Sequence, residues 1–203
     1  EIENTVQEMT MTRDRSFTFT IDRGTYNDTQ MSNAAGAALQ RQIREVVVPE
    51  IDKYRFGKIC EGAKTTVTGK VTKANAYDAF LTGATTLIEN NVPLVGSCAF
   101  VSSDFYKNIK EDSSFIRNGD MSQEILIKGQ VGTIDGIPLI VVPKSYFPEN
   151  VEFIITNQAA TTSPVKLSEY KIHDNPPGIN GWLVEGRVYY DAFVLENKKS
   201  AIY

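Results

Sequence analysis

Apolar side chains alternate with polar ones along residues 6–23, which predicts an extended strand. The apolar residues at odd positions are Met9, Met11, Phe17, Phe19 and Ile21, and successive side chains of a strand point to opposite faces. Arg13, Asp14 and Arg15 interrupt this alternation and predict a turn or bend. A strand this polar on both faces would be poorly buried in one small domain, so we expect an arm or ribbon whose exposed edge requires a partner.

Apolar residues at three- and four-residue steps predict a long amphipathic helix from 29 to about 54. This spacing places them on one face of the helix. Residues 27–29 offer an N-cap, because their short side-chain oxygens can accept hydrogen bonds from the free amides of the first turn. Pro49 lacks an amide donor and should kink or restart the helix, and Gly57 and Gly62 should end it.

The rest of the chain predicts short strands and two more helices. Helices are expected at 73–90, capped by Thr72, and at 104–110, capped by Ser102 and Ser103. Strands are expected at 97–101, 125–127, 130–134, 137–142, 151–155, 165–172 and 182–195, the last of them bent at Gly186. Asp135-Gly136 between two apolar runs is typical of a tight hairpin. Strands and helices do not alternate regularly, so the fold class is α+β.

Composition restricts the class of protein. The 203 residues, 41% hydrophobic and 23% charged, suit one large globular domain or two small ones with a real core. No apolar run approaches the roughly 18 residues that a membrane helix needs, so no membrane partner is expected. A net charge of -4 with scattered Lys and Arg argues against tight nucleic-acid binding, which requires clustered cations at the phosphates.

Cys60, Cys98 and His173 are the candidates for nucleophilic or metal chemistry. The two cysteines lie far apart among apolar residues and match no zinc spacing, which favours two reduced, partly buried thiols and leaves a disulfide open. His173 is the only histidine, so any Ser-His-Asp or Cys-His mechanism would require it. It lies where a strand runs into a proline turn, a position typical of a surface histidine.

Two further patterns resemble functional motifs without meeting their requirements. Residues 57–65 resemble a phosphate loop, but Ala63 separates the second glycine from the lysine, so we interpret the segment as an ordinary loop. Glu45 and Asp52 share one face of the long helix, where carboxylates are usually solvated, and a glycosidase-type acid pair stays an unsupported alternative. We assign no catalytic, cofactor-binding or metal-ligating residue and expect a protein that is not an enzyme.

Three blocks of the chain together resemble the major capsid proteins of the Hong Kong 97 type, a superfamily of tailed-phage capsids and encapsulin compartments. The strand at 6–23 running into the helix at 29–54 resembles the second arm of the E-loop entering the spine helix. The hairpin at 132–143 is similar to one in the A-domain. Residues 181–195 with 198–203 resemble the strands that return to the P-domain.

The resemblance implies a Hong Kong 97-like capsid fold. Such a fold has a long spine helix, a P-domain sheet, an A-domain with a central mixed sheet flanked by helices, and an extended E-loop, of which part would be present here. It assigns 1–26 to the second arm of the E-loop, 27–72 and 184–203 to a discontinuous P-domain, and 73–183 to the A-domain. The family's N-terminal arm and first E-loop strand would precede Glu1, so an N-terminal truncation is expected.

The resemblance also implies a structural function without a cofactor. Copies of a major capsid protein of a tailed bacteriophage or prophage would self-assemble into an icosahedral shell around dsDNA, without sequence-specific binding. The protein would be made in the bacterial host cytoplasm, reside in the virion, and meet portal and scaffold or protease proteins. The expected inter-subunit contacts are Arg13, Asp14, Arg15, Phe17 and Phe19 on the arm, and Pro176, Pro177 and Gly178 in a loop near an A-domain tip.

Three alternatives stay open at this point. An encapsulin-type compartment shell would share the fold and differ in its content. A small α+β ligand-binding module would hold a small molecule or peptide at its exposed strand edge and would not assemble. An enzyme with a carboxylate dyad would require converging acids in a pocket.

Overall fold

The computed structural model describes residues 6–28, 34–112 and 130–203. Its helices are α1 (Arg23–Asp28), α2 (Ala35–Gln42), α3 (Val48–Gly62), α4 (Ala76–Glu89) and α5 (Ser103–Glu111), with a π-helical segment, Ile43–Val47, between α2 and α3. Its strands are β1 (Arg13–Asp22), β2 (Ser97–Ser102), β3 (Gln130–Ile134), β4 (Ile137–Val142), β5 (Phe153–Asn157), β6 (Thr161–Thr162), β7 (Val165–Asp174), β8 (Gly181–Tyr190) and β9 (Phe193–Val194). The α+β class is confirmed.

The described residues form two compact units. One, which we call the core unit, comprises residues within 1–7, 53–162 and 193–203, and the other, which we call the arm unit, comprises residues within 8–52 and 163–192. These boundaries differ from those of the E-loop, P-domain and A-domain that the resemblance assigns. The assignment of those segments to E-loop, P-domain and A-domain stays a prediction.

The core unit contains a mixed four-stranded sheet with the order β3-β4-β2-β5. Strand β2 is parallel to β4 and antiparallel to β5. An apolar cluster joins this sheet to α4 and α5, and its buried members include Phe80, Leu87, Phe105, Ile109 and Ile155. The helical members recur at four- and seven-residue steps, which gives each helix one apolar face toward the sheet.

The turn between β3 and β4 has the predicted hairpin geometry. Asp135 (φ 49°) and Gly136 (φ 79°) both adopt left-handed backbone conformations, as the two central residues of a type I′ turn do. Asp tolerates this region better than most residues, and glycine has no Cβ that could clash. The pairing of Ile134 with Ile137 closes the hairpin.

The long helix begins later and ends later than predicted. Its described part starts at Ala35, and the predicted caps Asn27 and Asp28 lie instead in the short helix α1, while residue 29 lies outside the described ranges. Gly57 does not end the helix, whereas Gly62, the second glycine predicted to end it, is its last residue. Neighbouring apolar residues of α3 pack into a second cluster of the core unit, and this packing outweighs the poor helix propensity of glycine. Residues 57–62 are therefore helical, not a loop.

The irregularity predicted at Pro49 is a π-helical segment that precedes the proline, and the helix passes it without a break. Proline has no amide hydrogen, and its ring collides with the carbonyl four residues earlier, here that of Glu45. The wider π turn contains this carbonyl and makes room for the ring. Val48 donates its amide to the Ile43 carbonyl, so α3 continues from the π segment.

The arm unit contains a three-stranded antiparallel sheet with the order β1-β8-β7. Strand β1 pairs with β8 along its whole length, from Arg13 opposite Tyr190 to Asp22 opposite Gly181. The turn or bend predicted at 13–15 is therefore wrong. The strand continues through these charged residues because β8 supplies the hydrogen-bond ladder, and the side chains of Asp14 and Arg15 are exposed to solvent.

The long C-terminal strand is interrupted at Asp191, and its pairing passes Gly186 without a register shift. Strand β8 ends at Tyr190. The buried Asp191 carboxylate accepts hydrogen bonds from the Thr12 amide (2.8 Å), the Thr12 hydroxyl (3.1 Å) and the Ala192 amide (2.8 Å). Hydrogen bonds to a carboxylate are among the stronger ones in proteins, and they stabilise the chain where the strand stops.

Helices α4 and α5 start close to their predicted caps. The N-cap residue of α4 is Asn75, not Thr72, and Thr72 instead donates its amide (2.7 Å) and hydroxyl (3.0 Å) to Asn75 Oδ1. The N-cap residue of α5 is Ser102, whose Oγ accepts a hydrogen bond from the Phe105 amide at 3.0 Å. The strand predicted at 125–127 lies outside the described residues.

Candidate assembly surface

Strand β1, where the sequence placed five of the eight predicted contact residues, forms one edge of the arm-unit sheet. One of its sides pairs with β8, and no described strand pairs with the other. The free N–H and C=O groups of an edge strand are a template for a further strand. The arm is thus open to pairing in the described part of the chain.

The charged residues of β1 have partners within the arm unit. Arg187 on β8 donates from Nε (3.0 Å) and Nη2 (2.5 Å) to the two carboxylate oxygens of Asp14. This hydrogen-bonded pair, together with the Arg187 charge, lowers the pKa of Asp14 below its ordinary value of 3.8. Arg15 Nε lies 2.6 Å from Oε1 of Glu50 in the first turn of α3. Arg13 is half-buried at the start of the strand.

Phe17 and Phe19 lie on the same face of β1. Their ring centroids are 6.2 Å apart and the rings are nearly parallel. The Phe17 centroid is also 6.2 Å from that of Tyr170 on β7. Gly186 on β8 lies between these two residues in the register, and a Cβ at this position would come within 2.7 Å of both rings. Glycine on the central strand therefore lets the aromatic side chains of the two edge strands meet across it.

A groove lies beside β1 on the side of these rings. Its volume is about 420 Å³, and it is lined by Phe17, Thr18, Phe19, Ala38, Arg41, Gln42, Glu45 and Val46. The sequence places the apolar residues of this helix on one face. No described residue of α2 or of the π segment is fully buried, and Leu39, Ile43 and Val47 are half-buried, so their apolar face is only partly covered.

Pro176, Pro177 and Gly178 form the turn between β7 and β8. The Ile179 amide donates to the Pro176 carbonyl at 3.0 Å, and Gly178 has a φ of 84°, which fits a type II turn with proline and glycine at its centre. The Asn175 amide donates to the Gly181 carbonyl below the turn at 2.8 Å. This rigid tip lies at the end of the sheet where β1 finishes, away from Arg13.

Sequence reasoning found the strand but missed its partners. Asp14 and Arg187 are separated by 173 positions, and no local pattern connects them. Glu50 lies within the helix predicted at 29–54, and nothing in the local pattern indicates that it pairs with Arg15. A cross-strand partner has no signal in a single sequence, because pairing register is a long-range property.

The other candidate residues lie outside this surface. Nε2 of the exposed His173 is 2.9 Å from Oε1 of Glu185. Cys60 and Cys98 are free and half-buried, and burial, with a smaller contribution from the Glu61 charge, raises the pKa of Cys60 to about 11. Such a thiol stays protonated near neutral pH and is a poor nucleophile.

The core unit has a cleft of about 370 Å³ under the irregular segment 63–71. Its walls are mostly apolar, and its carboxylates are Asp78 and Glu152, of which Glu152 is already bound to Lys144 (2.9 Å) and to the Ser102 hydroxyl (2.8 Å). Across residues 6–28, 34–112 and 130–203, no group of three or more His, Cys, Asp or Glu side chains could hold a metal ion. Among the same residues, none of the helices has the length and apolarity to cross a membrane.

Comparison with known proteins identifies the architecture. No profile of a known protein family matches the chain, and no curated protein matches its sequence. The capsid structure of the cyanophage P-SCSP1u matches with a TM-score of 0.65 at 14% identity, over 93% of this chain and 70% of that chain. A structure from Mycobacterium phage Che8 matches with a TM-score of 0.62 at 12% identity, over 94% and 69% of the two chains. The chain has a capsid-like fold.

The same architecture is found outside phages. A virus-like particle from Pyrococcus furiosus matches with a TM-score of 0.58 at 13% identity, over 94% of this chain and 75% of that chain. At these identities the likeness concerns the fold alone. It covers both the core unit and the arm unit, since more than nine-tenths of the chain is aligned in each case.

Proposed function

We propose that this chain is a structural shell subunit, the major capsid protein of a tailed bacteriophage or prophage. Copies self-assemble into an icosahedral shell that encloses dsDNA without reading its sequence. The observation that carries the proposal is the capsid-like fold along more than nine-tenths of the chain. We include in this proposal the assignment of the chain to E-loop, P-domain and A-domain given under Sequence analysis. We also propose that the subunit resides in the virion and contacts portal and scaffold or protease proteins.

The contact surfaces of this subunit are the arm and the turn. On β1, the residues that meet a neighbour are Arg13, Asp14, Arg15, Phe17 and Phe19, and at the turn they are Pro176, Pro177 and Gly178. Support comes from the exposed edge of β1 and from the rigidity of the type II turn, which loses little conformational entropy on docking. The pairs Asp14–Arg187 and Arg15–Glu50 fix the conformation of β1 within the subunit before it contacts a neighbour.

Electron microscopy and sedimentation velocity of the full-length protein test the function. Closed particles of uniform size support it, and a protein that stays monomeric at every concentration reached contradicts it. Alanine at both Pro176 and Pro177 tests the turn. Because the turn is solvent-exposed, this variant should keep its fold by circular dichroism and lose assembled particles.

An encapsulin-type compartment is the second candidate, favoured by the match to the Pyrococcus furiosus particle. It differs from a virion in its content. Particles treated with nuclease and then opened should release protected DNA if the chain encloses a genome. Protein cargo without DNA would identify a compartment instead.

A further inference from the structure

The cleft under the irregular segment 63–71 has the size and lining of a small-molecule site. Its volume is about 370 Å³, and its apolar lining includes Phe153, Ile154 and Ile202. Ligand sites in proteins are concave, mostly apolar and of roughly 300–1,000 Å³, with a few polar groups that fix the orientation of the ligand. We call this cleft the apolar cleft.

A second, polar cleft of about 760 Å³ adjoins the apolar cleft in the core unit, and we call it the mouth. The two are continuous, because they share the lining residues Gly69, Lys70, Val71, Asn150 and Glu152. A molecule with an apolar part and a polar part could therefore occupy both.

The mouth has an excess of positive charge. Its lysines are Lys70, Lys73, Lys107 and Lys144, and its carboxylates are Asp104, Glu111 and Glu152. Lys144 donates to Asp104 (3.0 Å) and to Glu152 (2.9 Å), so these charges compensate one another. Within the described part of the chain, the other three lysines form no ion pair. Three unpaired lysines thus oppose one unpaired carboxylate, that of Glu111, in a protein whose net charge is -4.

The carboxylates of the apolar cleft do not oppose an apolar ligand. Glu152 is already bound to Lys144 and to the Ser102 hydroxyl. Asp78 is exposed, so its carboxylate can keep its hydration when the cleft is filled. An alkyl chain in the cleft would therefore not have to bury an unpaired charge, which would be costly.

The segment that covers the apolar cleft is held near its two ends. The Lys64 amide donates to the Lys199 carbonyl at 3.3 Å, and Nδ2 of Asn75 donates to the Lys70 carbonyl at 3.1 Å. Between these points, residues 65–69 form no backbone hydrogen bond with the rest of the described chain, and Val67 is 66% exposed. Segments with few contacts open at a low cost in free energy, which gives a ligand a way in.

We propose that the core unit binds an amphipathic anion at this place. Its alkyl chain lies in the apolar cleft, and its carboxylate or phosphate head group lies in the mouth at Lys70, Lys73 and Lys107. The inference goes beyond the proposed shell function and does not depend on it. Charge complementarity selects an anion over a cation, and the apolar walls select a molecule with a tail over a bare anion.

Calorimetric titration of the full-length protein tests the proposal, with all ligands below their micelle concentrations. Hexanoate, octanoate and decanoate should bind with an affinity that rises about fourfold for each added methylene. Octyl phosphate compared with octanoate shows which head group the lysines prefer. Octyltrimethylammonium, octanol and inorganic phosphate, which lack either the negative charge or the tail, should bind about tenfold more weakly or less.

Matched substitutions locate the site. Lys70→Gln should weaken octanoate binding about fivefold at low salt, and Lys198→Gln, at an exposed lysine outside both clefts, less than twofold. Ala79→Leu adds volume inside the apolar cleft and should weaken decanoate binding about tenfold, because the tail loses its space. Ala159→Leu makes the same change at an exposed alanine outside it and should have no effect.

Nuclear Overhauser effects between the octanoate chain and the methyl groups of Ile154 and Ile202 supply the direct readout. Circular dichroism and the Tm show whether each variant folds, and should Ala79→Leu unfold, the Overhauser effects in the wild type decide. Equal binding of octyltrimethylammonium, an affinity independent of chain length, or effects at other methyl groups alone would each overturn the inference. Absence of binding would do the same and leave the shell function intact, whereas a failure to form particles would leave this site standing.

Discussion

Arg187 on β8 donates two hydrogen bonds to the carboxylate of Asp14 on β1. The pair joins the edge strand to the central strand of the arm-unit sheet, and its bidentate geometry is specific to arginine. Both side chains are exposed to solvent, so the pair contributes more to the position of β1 than to the total stability.

The first prediction concerns the titration of Asp14. Replacing Arg187 with Gln removes the hydrogen bonds and the charge that lower the Asp14 pKa, so this pKa should rise toward 3.8. Because the pKa is lowered in the folded state, the pair stabilises the protein above pH 3.8, and this contribution is lost as the pH falls through the lowered value. Carboxyl NMR titration measures it. Lys58→Gln, which removes a pair with Glu61 in the core unit, should leave the Asp14 pKa unchanged. An Asp14 pKa that does not change in Arg187→Gln would refute the assignment.

The second prediction compares two glycines. Gly181 has a φ of 155°, and a Cβ there would collide with the backbone carbonyl of Ile21. Gly181→Ala should therefore lower the free energy of unfolding by about 1–3 kcal/mol. A Cβ at Gly57 meets nothing within 4 Å, and Gly57→Ala should raise it by about 0.5–1 kcal/mol because alanine favours the helix. Chemical denaturation measures both, and equal effects of one sign would contradict the structure.

The third prediction distinguishes two adjacent serines. Ser102 is fully buried, accepts from the Phe105 amide and donates to Glu152. Ser102→Ala should cost about 1–2 kcal/mol of unfolding free energy through the lost cap. Ser103 is exposed, so Ser103→Ala should change it by less than about 0.5 kcal/mol. If thermal or chemical denaturation ranked them the other way, the cap would be misassigned.

The fourth prediction concerns thiol reactivity. Burial raises the pKa of Cys60 from 9.0 to about 11, so iodoacetamide at pH 8 should label it much more slowly in the native protein than in the denatured one. The protonated thiol favours the folded state below pH 9, and this contribution disappears as the pH rises through about 11. Mass spectrometry of timed samples measures the rate. Equal labelling before and after denaturation is the result that rules out burial.

Several elements follow from local pattern. Period-two alternation predicted the strand before the helix, and Asp135-Gly136 predicted the hairpin, because a type I′ turn requires two residues that tolerate a positive φ. The apolar spacing of α4 and α5 predicted the helices that pack on the core-unit sheet. These features depend on side-chain geometry within a few residues.

Other elements deviated from local pattern for identifiable reasons. Gly57 lies inside a helix because its neighbours pack into an apolar cluster, and packing outweighs propensity. Arg13, Asp14 and Arg15 continue a strand, because β8 supplies the ladder and Arg187 a counter-charge. In both cases the deciding contacts come from residues distant in sequence.

Residue periodicity and turn chemistry were thus enough to place most helices and strands and to direct attention to the arm, since those signals arise within one or two turns of chain. Which strand lies at the edge of the sheet, which helix face is only partly covered, and which partner holds Asp14 depend on pairings between distant residues. The free energy of such pairings is realised only after the chain has closed long loops. The candidate assembly surface therefore appears in the folded chain and in no single segment of it.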